Sequence, residues 1–244
     1  MPNWVATEVT FKGNDEDIKK VLEKVLSEDS QFEFNKLIPM PECLNIESGS
    51  QSALAYAYYY VRKFNTLPPF SHFKDMDTVI CRVEKDITVS SQEVLERGKQ
   101  LYENKKKCGA TTWYDWCCSN WGTKWNAYNV GIYDNTLSFA TAWSFAEPVM
   151  RRLSELCTQY NVEFDGEWAD EDMGSNTGCF ESYDGEFYYN YHDDNSHEAY
   201  ATYVRLNGES DCLGVDADGN YYRRECNESC PYYEECVGGG ECEC

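Results

Sequence analysis

Hydrophobic positions along this chain change period several times, and each change marks an element. Residues 4–11 alternate, with Val5, Thr7, Val9 and Phe11 on one side, which predicts a strand. Gly13-Asn14 turns the chain, and Asn14 or Asp15 can cap a helix. Ile18, Val21, Leu22, Val25 and Leu26 then recur at helical spacing, giving an amphipathic helix to about Ser27. Residues 31–38 read as a second strand, closed by Pro39 and Pro41. Residues 46–108 lose the alternation. Helices are predicted over 51–64 and from Ser90 or Ser91 to about Lys107, with Pro68-Pro69 as a breaker. Between them, a turn around Asp75 leads into the apolar segment 78–83. The basic run Lys105, Lys106 and Lys107 suits a solvated helix end.

The stretch 111–127, T-T-W-Y-D-W-C-C-S-N-W-G-T-K-W-N-A, holds four of the seven tryptophans. Thr112 and Asp115 stand at capping-box spacing, so a helix can start at Trp113. Trp113, Cys117, Asn120 and Trp121 share one face of it, and Gly122 is placed to close it. Residues 124–130 then read as a strand. Two readings stand: the indoles of Trp113, Trp116, Trp121 and Trp125 form core, or they line an aromatic pocket with Asp115, Asn120 and Asn126 that stacks a base or nucleotide.

Downstream, 126–133 and 136–143 flank Asp134-Asn135, a hairpin signal. Pro148 suits the first turn of a helix through Met150, Leu153, Leu156 and Cys157. A strand over 162–168 follows, then hairpins around Asp184-Gly185 and around Ala217-Asp218-Gly219. The order is strand-helix-strand, twice, which is α+β. The expected organisation is one domain over residues 1–207, with a helical insertion at about 46–108, followed by a hairpin and tail over 208–244.

Composition changes the picture in three ways. Hydrophobic residues make up 42% of the 244, enough for a real core, and no apolar run approaches a membrane span. The start, M-P-N-W-V-A-T-E-V-T, lacks the basic and apolar regions of a signal peptide, so a reducing cytoplasm is expected. Charge is unevenly spread: the chain totals −22, yet residues 153–204 hold 13 carboxylates and neither Lys nor Arg. Such a region repels nucleic acid and anionic membranes and attracts basic surfaces. Candidate contacts are Glu163, Asp165 and Glu167 on one side of a strand, with Asp170, Glu171, Asp172, Asp184, Glu186, Asp193 and Asp194 along the loops. Tyr183, Tyr188, Tyr189 and Tyr191 would add flat area between the charges.

Thirteen cysteines include five near the end: Cys226, Cys230, Cys236, Cys242 and Cys244. Close thiolates suit a structural zinc ion, which takes four tetrahedral ligands. Disulfides formed after isolation and a disordered tail are the other two readings. His192, Asp193, Asp194, His197 and Glu198 form a histidine and carboxylate cluster, read first as a polar loop between strand and helix. Asp216, Asp218 and Asn220 resemble the start of a calcium loop, but Tyr221 stands where that loop needs glycine. No phosphate-binding loop, nucleophile elbow or dinucleotide fingerprint is present. No reaction follows.

Four segments together resemble a known set: M-P-N-W at the start, F-E-F-N-K-L-I-P-M-P at 32–41, Y-D-W-C-C-S-N-W-G-T-K-W-N-A at 114–127 and F-A-T-A-W-S at 139–144. They are similar to a phage- and prophage-borne family of unknown function that contains a ferredoxin-like domain. Val5 departs from the cysteine expected after N-W. The resemblance implies a ferredoxin-like antiparallel sheet with packed helices and a phage origin, and it implies no activity. The expectation is a non-catalytic protein of the infected host's cytoplasm that inhibits a host defence system, such as a CRISPR effector. It would do so by imitating nucleic acid toward a basic protein surface, with no direct contact to nucleic acid or membrane.

Overall fold

The computed structural model describes residues 3–86 and 88–224. The chain opens with β1 (Trp4–Lys12), whose odd positions are buried and whose even positions are not. α1 (Asp15–Val25) follows, capped by the Asn14 side chain on the Glu16 amide, and it buries Ile18, Val21 and Val25. α2 (Phe34–Leu37) is a single turn. Four helices come next: α3 (Ser50–Phe64), α4 (Met76–Glu84), α5 (Ser91–Cys108) and α6 (Trp113–Asn120). Ser90 and Glu93 close a full capping box at α5. Then come β2 (Tyr128–Tyr133), β3 (Thr136–Ala142), α7 (Glu147–Thr158), β4 (Glu163–Asp170), β5 (Thr177–Tyr183), β6 (Glu186–Tyr191), α8 (His197–Asn207) and a short hairpin, β7 (Leu213–Val215) and β8 (Tyr221–Arg223).

Six strands form one antiparallel sheet in the order β2-β3-β1-β4-β5-β6. The run β1-α1-β2-β3-α7-β4 with the order β2-β3-β1-β4 is the βαββαβ arrangement of a ferredoxin-like fold. The β5-β6 hairpin widens the sheet beside β4. α7 packs on β4 and β6, with α1 and α2 beside it. Its Val149, Met150, Leu153 and Cys157 are fully buried. The inner face of the sheet is apolar: Val5, Val9, Phe11, Leu137, Phe139, Phe164 and Trp168. Phe145 lies flat on Trp168, centroids 4.2 Å apart and planes within 7°. Gly178 makes room for the indole, since a Cβ there would sit 2.3 Å from the Trp168 ring.

Among the described residues two compact units result, residues 3–38 with 121–224, and residues from 39 to 120. The second is helical and is inserted in sequence between α2 and β2 of the first. In it α3 packs on α5 and α4 around Ala57, Tyr58, Val61, Phe73, Val79 and Val83.

Two expected strands differ. Residues 31–38 do not join the sheet. Phe32 makes one bridge to Leu26, and Phe34 starts α2. Both rings are fully buried and meet the Phe139 ring edge-on, so their alternation reflects packing rather than pairing. The strand read at 124–130 begins only at Tyr128, because Gly122 turns the chain at φ 77° and residues 124–126 are turned, not extended.

Candidate partner-binding face

With the inner face filled, the outward side chains of the sheet form a surface of their own. Its rows follow from the register: Glu8, Glu167, Cys179 and Asn190 in one, Thr10, Asp165, Glu181 and Tyr188 in the next, with Lys12 beside Glu163 and Tyr183 beside Glu186. Adjacent strands lie about 4.8 Å apart, so two of these neighbours bring carboxylates face to face: Glu8 with Glu167, and Asp165 with Glu181. Six carboxylates therefore share this face: Glu8, Glu163, Asp165, Glu167, Glu181 and Glu186. Like charges in such positions are destabilising.

Three contacts relieve part of it. Arg205 of α8 donates to both Glu167 oxygens at 2.6 and 2.7 Å, which raises the pKa of its guanidinium. Lys12 pairs with Asp165 at 3.1 Å. The Tyr133 hydroxyl donates to Glu8, and that bond pushes its pKa up to about 12. Glu163, Glu181 and Glu186 make no ion pair among the described residues. Burial, then the Glu167 and Glu181 carboxylates, push the Cys179 thiol up. A groove of about 420 Å³ runs between Glu8, Asp165, Glu167, Glu181 and Tyr188.

Of the acidic residues expected from sequence, the sheet brings together Glu163, Asp165, Glu167 and Glu186. Asp184 sits in the β5-β6 turn at φ 52°. Glu171, Asp172, Asp193 and Asp194 are exposed on loops at the other end of these strands. Asp170 is a correction. It is 5% exposed and accepts from the Asp172 amide and the Asn176 side chain, both at 2.9 Å, so it ties a loop and offers nothing to a partner. Tyr189 and Tyr191 are also corrected: register places Tyr189 beside Phe180 and Tyr191 beside Gly178, on the inner side of an edge strand. Glu8 and Glu181 were missed, although both fall at outward positions of alternating strands.

The tryptophan stretch divides between the two units. Trp113, Asp115, Trp116 and Asn120 belong to α6 of the helical unit, where Trp116 is buried and Asn120 donates to the Trp116 carbonyl at 2.9 Å. Asp115 lines a cavity of about 600 Å³ with Tyr56, Phe70, His72 and Phe73. In the sheet unit, Trp121 is 4% exposed and its indole donates to the Ile38 carbonyl at 2.9 Å. Asn126 accepts from the Phe34 amide at 2.8 Å. Both hold the fold together. Trp125 instead is 38% exposed.

The histidines have structural partners. His197 accepts from the Tyr221 amide at 2.8 Å and stacks on its ring, and His192 lies 3.2 Å from the Thr202 hydroxyl. Asp216 accepts from the Asn220 and Asp218 amides, which closes the β7-β8 turn, and the Asn220 bond above all lowers its pKa. Among the described residues no group of three or more His, Cys, Asp or Glu could hold a metal ion. The five tail cysteines, Cys226 to Cys244, lie outside the described residues. No described helix is long and apolar enough to cross a membrane.

No curated protein matches the chain. Among solved structures it is similar to the crystal structure of a protein api92 from Yersinia pseudotuberculosis, at 10% identity and a TM-score of 0.38, over 79% of this chain and 99% of that one. Residues 120–213, which run from the end of α6 to the start of β7, match the model of a family described as the ferredoxin-like domain in Api92-like protein.

Proposed function

We propose that this is a non-catalytic binding protein that sets the acidic face of its sheet against a basic surface of a partner protein. One observation carries the reading: six carboxylates share that face, and among the described residues Lys12 and Arg205 pair with just two of them. Self-repulsion of this kind weakens a fold. Ordinary solvated faces mix the two signs. Carboxylates repeating along and across strands can imitate the closely spaced charges of a duplex. In this reading the partner is a nucleic-acid-binding effector of a host defence system, and the phage-family likeness supplies that setting.

The test replaces Glu163, Glu181 and Glu186 together by Gln, since these three are in no ion pair among the described residues. A partner captured from host lysate should be displaced by duplex DNA and by salt, and it should be lost with the triple variant while the melting curve is kept. Unchanged affinity for the variant, with no salt dependence, would show that the face is only solvated surface.

A further inference from the structure

At the Trp4 end of the sheet unit lies a second surface, built from rings. Trp4 stacks on Tyr128 with centroids 5.0 Å apart, and it tilts against Trp125 at 6.2 Å. Trp125 stacks with Trp143 at 6.5 Å and 26°. These are exposed side chains: Trp125 by 38%, Trp143 by 45% and Tyr128 by 61%. The Lys124 ammonium sits at this cleft, 4.0 Å from the Trp125 centroid and 4.8 Å from that of Trp143.

Folding alone does not call for this arrangement. Trp143 adopts φ 69°, a left-handed conformation that is costly for a bulky residue. It is held there by its amide on the Asn3 carbonyl at 2.8 Å and by the Asn176 side chain on its own carbonyl at 3.3 Å. The strain does not bury the indole; it keeps the ring in water, facing Trp125. Strained backbone that displays an apolar ring is characteristic of binding sites.

The geometry points to an aromatic cage for a cationic side chain, a lysine, methylated lysine or arginine of a partner protein, with Lys124 as the resident occupant that the incoming cation displaces. Indole faces attract cations through the ring quadrupole, and two faces about one cation are the basis of ammonium recognition. The ammonium already in the cleft shows that its size and sign suit the rings. Net charge −22 further favours cations over nucleotides or other anions. The cage is independent of the acidic face: its rings act without Glu163, Glu181 or Glu186.

Titration with trimethyl-lysine, followed by indole fluorescence and by the tryptophan side-chain NMR signals, tests this on the whole chain. Lys124→Ala empties the cleft and should tighten binding roughly two- to five-fold, the ratio expected for one exposed cation–π contact. Trp143→Asn keeps a residue that tolerates the left-handed backbone and should abolish binding with the fold intact by circular dichroism. Trp125→Ala should abolish it as well. The triple Gln variant of the acidic face should bind the probe as before, which separates this inference from the proposed function. Adenosine monophosphate is the opposing probe. If it binds in place of trimethyl-lysine and Lys124→Ala weakens it, the rings are a nucleotide platform and the cage is overturned. Trimethyl-lysine affinity unchanged or weakened by Lys124→Ala overturns it equally.

Discussion

The two faces of the six-stranded sheet obey different rules. Inward, every strand contributes an apolar or small residue, and some polar side chains there find partners, as Ser154 with Ser182, hydroxyls 2.7 Å apart, and Thr141 with the Ser144 carbonyl at 2.8 Å. Outward, the same strands carry carboxylates opposite carboxylates and rings left in water. One face is filled by the core. The other sets like charges side by side, which works against stability. The lesson is that alternation assigns each residue to a face, but the register alone decides which charges become neighbours.

Breaking the inner face should give the largest effects. Trp168→Ala removes a fully buried indole stacked on Phe145 and should cost about 3–5 kcal/mol in denaturant melts. Trp121→Ala should cost about as much, because it empties a buried site and frees the Ile38 carbonyl, while Trp125→Ala should cost far less. Equal losses at the two would erase the distinction between core and display. Gly178→Ala should cost about 1–3 kcal/mol, since its Cβ meets the Trp168 ring.

On the outer face, effects should be smaller and electrostatic. Arg205→Ala leaves Glu167 facing Glu8 and should cost about 0.5–1 kcal/mol, a discounted figure because the pair is partly exposed. The loss should shrink in high salt and in the double variant with Glu167→Gln. A loss that ignores salt would mean packing, not charge. The smallest effect is the pH dependence of Tyr133, a half-exposed residue. Its folded pKa of about 12 lies above the ordinary 10, so its bond to Glu8 stabilises fully below pH 10 and is lost as pH rises toward 12. Tyr133→Phe should therefore flatten the alkaline fall in melting temperature. An identical fall in both proteins would remove the bond from the account.

Much of this was legible in order along the chain. β1, α1, α3, α5, α7 and the hairpins follow from periodicity, caps and turn residues, since these are local consequences of backbone sterics. Residues 31–38 were misread because Phe32 and Phe34 alternate as a strand does, while their burial is decided by Phe139, far away in sequence. Asp170 looked like one more surface carboxylate, yet the loop at Asn176 encloses it. Trp121 and Trp125 looked alike, four residues apart. Only the partners differ: a carbonyl at Ile38 for one, Trp4 and Trp143 for the other.

By itself, then, the sequence determined the α+β order and an acidic second half, because period, capping and charge are properties of neighbouring residues. Tertiary structure decided which carboxylates face each other, which indoles are core and where Lys124 rests. Those outcomes depend on strand register and on contacts between distant residues, such as Glu8 with Glu167 and Trp125 with Trp143, which no local pattern encodes.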